Sequence, residues 1–177
     1  MPRVTRGRLS ICTLAVVGAP FAAGCGGDST ASTESTAAKQ RVVITAKMSE
    51  GTAVLELMRD GALERDSGTV APADGSNAYT SNPDRTVTRD GQKVVIYTGV
   101  WAFTGKHGTL LFRDRNGWVD VGNDGDGDGR NDSVAVGTWK VVLGTDGYAG
   151  VRGGGRSSHE GLGFRWYARY EGFLTLP

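Results

Sequence analysis

The stretch Arg85-Thr86-Val87-Thr88-Arg89-Asp90-Gly91-Gln92-Lys93-Val94-Val95-Ile96-Tyr97 reads as two β-strands folded back on a two-residue turn. Asp-Gly at the turn accepts the positive φ angles that the favoured hairpin demands, and the flanks are β-branched or alternate apolar with polar. The same grammar extends outward in both directions. Apolar residues recur at every second position or in short β-branched runs, broken by Gly, Asn, Asp or Pro every eight to twelve residues or so. The expected strands are Val42 to Lys47, Thr52 to Met58, Arg85 to Arg89, Lys93 to Thr104, Thr109 to Arg113, Trp118 to Val121, Val134 to Leu143 and Phe164 to Leu176. Asp60-Gly61 and Asn116-Gly117 are read as further hairpin turns. No long amphipathic helix is visible. About eight antiparallel strands on one core imply an all-β barrel, because closing the sheet on itself removes its exposed edges.

The amino-terminal segment obeys different rules. Arg3, Arg6 and Arg8 precede an apolar run from Leu9 to Ala23, and Ala22-Ala23-Gly24-Cys25 ends it with small residues before a cysteine. This is the layout of an export signal of the lipoprotein kind, although Ala22 stands where such signals usually carry Leu. The run contains Pro20 and falls short of the roughly 20 apolar residues of a membrane span. Cys12 lies inside it, so cleavage before Cys25 leaves one cysteine and no partner for a disulfide; acylation of Cys25 explains its presence. Residues 26–40 are rich in Gly, Ser, Thr and Ala and offer no apolar period, which makes them a tether. The expected organisation is therefore a signal peptide over 1–24, a lipidated Cys25 and tether over 25–40, and a barrel domain over 41–177. Its expected place is the extracytoplasmic face of the cell membrane. Without the leader arginines the chain carries 17 basic and 19 acidic residues. So balanced a surface argues against capture of nucleic acid.

Trp101, Trp118, Trp139 and Trp166 each fall in an expected strand, where a core plug is the commoner role. In a hollow barrel, these four together with Tyr97, Phe103, Phe164 and Tyr167 would be the walls around a small molecule. Gly144, Gly147, Gly150 and Gly153 recur every third residue, but neither a phosphate loop nor a collagen repeat is present, and close turns explain them.

Several segments carry a family resemblance. Gly137-Thr138-Trp139-Lys140-Val141-Val142, Gly144-Thr145, Tyr148-Ala149-Gly150-Val151 and Gly153-Gly154-Gly155 resemble the late hairpin of bacterial exported proteins with an allene oxide cyclase-like or dirigent-like barrel. Gly61 to Gly68, Val87 to Gln92 and Phe103 to Thr109 resemble earlier parts of the same fold. The resemblance spans about Gly51 to Thr175 and implies the barrel. No cyclase active-site residue matches a position here, so the chemistry of the plant enzymes is not carried over.

Asn123-Asp124-Gly125-Asp126-Gly127-Asp128-Gly129-Arg130-Asn131-Asp132 is the one stretch with a sharp chemical meaning. Carboxylates at loop positions one, three, five and nine with Gly at six are how a short turn directs hard oxygens at Ca²⁺. Asp124, Asp126, Asp128 and Asp132 would supply carboxylates and Arg130 its carbonyl, with the ion stitching the loop structurally. The twelfth position is Ala135 instead of a bidentate Glu, which points to weak affinity, ~10⁻⁴–10⁻³ M. A solvated acidic hairpin tip is the competing interpretation, and calcium is the favoured one.

Hydrolytic and acid–base motifs are absent. His107 and His159 are the two histidines. His107 is expected to be exposed in a turn, while His159 and Glu160, as strand neighbours, would face opposite ways. No catalytic residue is assigned. The favoured function is a non-catalytic, membrane-tethered module that binds a small apolar or glycan ligand or makes envelope contacts. The alternative is a cyclase- or isomerase-like barrel enzyme acting on a small apolar substrate. A cavity lined by aromatics with an acid at depth would favour the enzyme, and a filled interior the module.

Overall fold

A computed structural model of the chain describes residues 38–74 and 83–177. The signal segment, Cys25 and most of the tether lie outside the described residues. Nine strands form one antiparallel sheet: β1 (Lys39–Lys47), β2 (Thr52–Arg59), β3 (Ala62–Pro72), β4 (Arg85–Arg89), β5 (Gln92–Gly105), β6 (Gly108–Asp120), β7 (Ser133–Gly144), β8 (Arg152–Leu162) and β9 (Arg165–Thr175). Two 3-10 turns, Met48–Glu50 and Asp146–Tyr148, complete the regular structure of the described residues. The strand order is β3-β2-β1-β9-β8-β7-β6-β5-β4, and an added pairing of β3 with β5 closes eight strands into a ring. One edge of β5 is shared, its first half with β4 and its second half with β3. The all-β, closed antiparallel expectation holds at this level.

Local chemistry explains the hairpins. Asp60-Gly61 and Asp90-Gly91 both turn through positive φ, at 50° and 82° and at 49° and 77°, the conformation that Asp-Gly tolerates best. Asn116-Gly117 does not turn. β6 runs unbroken from Gly108 to Asp120, and Gly117 sits mid-ladder between Ile96 and Val136. The two strands expected over Thr109 to Arg113 and Trp118 to Val121 are thus one. β3 and β8 were not expected as strands. β3 carries Glu64-Arg65-Asp66 followed by Ser67-Gly68-Thr69, and β8 has Gly153-Gly154-Gly155 next to its first residue, so neither displays an apolar period. β8 forms because β7 and β9 both offer it a long ladder of backbone partners, and β3 because β2 pairs with it over eight residues while β5 adds four more at its end.

Alternation sends every second side chain inward. Val42, Ile44 and Ala46 of β1, Ala53, Leu55 and Leu57 of β2, Phe103 of β5, Leu110 and Phe112 of β6, Trp139 of β7 and Tyr170 and Leu174 of β9 form one buried cluster. Phe112 is its hub, with ring centroids 4.8 Å from Tyr170 and 5.8 Å from Trp139, both edge-on. This cluster fills the half of the ring nearer the β5–β6 hairpin.

Candidate functional site

The other half of the ring is hollow. A cavity of about 420 Å³ opens between β5, β6, β8 and β9, within the size range of small-molecule sites. Val95, Tyr97, Trp101, Trp118, Val119 and Trp166 make its apolar walls. Trp118 and Trp166 meet at 69° with centroids 4.9 Å apart, so they stand as two adjoining faces of a corner.

Polar groups gather at the floor. Asp114 and Asn116 are successive inward residues of β6, and both are buried. The Trp101 indole N–H donates to Asp114 Oδ1 at 3.2 Å. Asn116 Nδ2 and the Tyr170 hydroxyl donate to Asp114 Oδ2 at 2.8 and 3.1 Å. The Ser157 hydroxyl in turn donates to Asn116 Oδ1 at 2.6 Å. In all three of these hydrogen bonds Asp114 is the acceptor. His159 reaches the same place from β8, with Nε2 3.4 Å from Asp114 Oδ2. That approach is ion-pair distance without hydrogen-bond geometry, and Nε2 is buried with no hydrogen-bond partner. The His159 ring lies 5.4 Å from both Trp118 and Tyr170.

Gly99 keeps this arrangement possible. A Cβ there would come 2.9 Å from Trp101 Nε1 and 3.1 Å from Asp114 Oδ1, into the very hydrogen bond that orients the indole. At the rim stands Asp120. Hydrogen bonds from the Asn131 amide and the Gly122 N–H hold its carboxyl below the usual carboxylate range.

The walls differ from those expected. Trp101, Trp118, Trp166 and Tyr97 do line the cavity, Trp101 while also belonging to the packed cluster; Trp139 and Phe103 belong to that cluster without lining the cavity, and Phe164 is exposed. Tyr167 is half-buried and is not among the lining residues. Sequence reasoning missed Asp114 because the assumed turn at Asn116-Gly117 placed it in a loop. The signal was there: Leu110, Phe112, Asp114, Asn116 and Trp118 fall at every second position of one strand. His159 was discounted for facing away from Glu160. It does face away, and it meets an acid from another strand instead. His107 is exposed in a turn, as expected.

The acidic loop occupies residues 121–132 between β6 and β7, on the cavity side of the ring. One carboxylate oxygen each from Asp124, Asp126 and Asp128 lies within 4.8 Å of the others. Asp132 does not join that group; its Oδ2 accepts from the Gly125 N–H at 2.9 Å while Oδ1 is buried without a partner. Asp124 is also partly committed, accepting from the N–H groups of Asp128 and Gly129 at 2.9 and 2.7 Å. The loop leans on the β8–β9 turn. The Arg130 guanidinium lies 4.0 Å above the Phe164 ring, and Asp126 sits 3.7 Å from Arg165.

The filled end has its own buried acid. Asp66 of β3 accepts from the N–H groups of Lys106 and His107 at 3.0 and 3.2 Å and from the Tyr148 hydroxyl at 2.9 Å. Burial pushes its carboxyl up, but these three donors outweigh that and hold it below the usual range. Tyr148 is raised well above the normal phenol range, by burial first and by the Asp66 hydrogen bond second.

No family model, no curated protein and no solved structure matches the chain.

Proposed function

We propose that the chain is a lipid-anchored extracytoplasmic protein whose closed sheet is a barrel of the allene oxide cyclase-like or dirigent-like kind, holding one small, largely apolar ligand. The observation that carries this reading is the cavity of about 420 Å³ with three tryptophans and a tyrosine in its walls. Apolar walls with a few convergent polar groups are the general form of a ligand pocket. The anchor rests on Cys25 and its flanking residues. It is tested by palmitate labelling, which marks the wild type and spares Cys25→Ala.

Binding is tested by titrating the purified full-length chain with N-phenyl-1-naphthylamine, a neutral apolar fluorophore. Saturable enhancement that Trp118→Ala weakens at least ten-fold is the expected result. Absence of any enhancement would remove the binding reading.

An isomerase- or cyclase-like enzyme is the second reading, and the acid at depth favours it. Binding ranks first because Asp114 already accepts three hydrogen bonds, which leaves its carboxylate little freedom to exchange a proton with a substrate. Turnover of a bound ligand that Asp114→Asn abolishes would reverse this ranking.

Calcium in the 121–132 loop is part of the same proposal. Three carboxylates within 4.8 Å are a hard-oxygen donor set suited to the ion. Asp124, Asp126 and Asp128 would hold it, and its contribution would be to tie the loop together. Calorimetric titration of wild type against Asp126→Ala and Asp128→Ala tests this. Equal heats from all three proteins would exclude the site.

A further inference from the structure

The charge inside the cavity says more about the ligand than the shape does. Four acidic or basic residues line it: Asp114 at the floor, Asp120 at the rim, His159 and Lys93. Lys93 is the one Lys or Arg in the lining, and it is exposed to solvent. Asp114 is 3 % exposed, and all three of its hydrogen-bond donors are neutral groups. Among the described residues no Lys or Arg forms an ion pair with it; the basic side chain that reaches it is His159. Neutral donors satisfy the lone pairs of a carboxylate without cancelling its charge. In a low-dielectric interior an uncancelled charge projects a strong field into the adjoining space. The walls have the same sign preference. Trp and Tyr carry negative potential on their ring faces and attract cations, most strongly when the cation is stripped of water.

Resting on the cavity as a ligand site, we propose that its occupant is a compact organic cation, an alkylammonium group caged by Trp118, Trp166, Trp101 and Tyr97 above the Asp114 carboxylate. An anion would face Asp114 and Asp120 together. A neutral apolar molecule would satisfy the walls and leave the floor charge unanswered.

The test compares two probes of equal shape. Choline and 3,3-dimethylbutan-1-ol differ in a quaternary nitrogen replaced by carbon, and both are titrated into the full-length chain by tryptophan fluorescence. Choline is expected to bind at least ten-fold more tightly than the alcohol. Asp114→Asn is expected to erase that preference. Because Asp114→Asn removes a buried charge and risks misfolding, Trp118→Leu provides a second variant that keeps an apolar side chain and loses the aromatic face; it should cut the preference several-fold. Equal affinities of the two probes, or choline binding that both variants leave unchanged, would overturn the cation assignment. If N-phenyl-1-naphthylamine binds while choline does not, the cation is wrong and the cavity remains a ligand site. If neither binds, both readings fall.

Discussion

Along β6 the inward residues at one end of the ring are Leu110 and Phe112, both fully buried, and at the other they are Asp114, Asn116 and Trp118 around open space. One strand with one alternation thus serves two purposes. The filled end also keeps an acid, Asp66, but surrounds it with backbone N–H groups and a phenol in a tight knot against the β5–β6 hairpin. The hollow end surrounds Asp114 with side chains on three further strands, β5, β8 and β9, and leaves it facing a void. A buried carboxylate tied to backbone holds a fold together. One tied to side chains at the base of a cavity is positioned for something that enters.

The comparison breaks first at Phe112. Truncating this fully buried ring to Ala removes its contacts with Trp139 and Tyr170, with an expected cost of ~3–5 kcal/mol in urea unfolding. A cost below ~1 kcal/mol would mean that the filled end is not the seat of stability. Next comes the Asp66 knot. Tyr148→Phe leaves a buried carboxylate short of a donor and should cost ~1–3 kcal/mol at pH 7. The pH dependence has a definite sign. The folded-state pKa of Asp66 is depressed, so its contribution is complete above the ordinary carboxylate range and disappears as pH falls through the lowered folded value. The gap between wild type and Asp66→Asn in unfolding experiments should accordingly be larger at pH 7 than in acid below the ordinary carboxylate range; a gap that stays constant with pH would contradict the assignment.

Calcium should act more weakly and only at the hollow end. Present at ten times its dissociation constant, an ion that binds only the folded state adds about 1.4 kcal/mol. Thermal melts with and without millimolar calcium read this directly, and an unchanged melting temperature would argue for a solvated loop. The smallest stability effect is expected at Trp118, which borders space on one side. Trp118→Ala should cost less than ~1–2 kcal/mol while it weakens ligand binding at least ten-fold. A large loss of stability with binding intact would make this residue a core plug after all.

How far the sequence revealed these two ends follows from the same physics. Asp-Gly turns and β-branched runs mark β1, β2, β4, β5 and β7 because those strands show their period locally. β3 and β8 are held by backbone partners from distant parts of the chain, so Gly153-Gly154-Gly155 displays nothing that a local pattern can detect. Asn-Gly is a strong turn signal, yet at 116–117 the ladders on both sides of β6 override it. That single misplacement hid Asp114, and with it the meaning of His159. Three of the acidic-loop residues were legible because their chemistry is written in consecutive sequence. The cavity floor was not, since its members come from four strands and converge only when the ring closes.

The closure itself is uneven. β5 and β6 share eleven paired positions, whereas β3 meets β5 over only four, Thr69 to Pro72 against Trp101 to Thr104, and Pro72 has no N–H to contribute. Such a short row of teeth is where a zipper parts first. Trp101 belongs to this seam and also to the cavity wall. Momentary unfastening there would release amide protons to solvent ahead of the rest of the sheet and loosen one face of the cage with them.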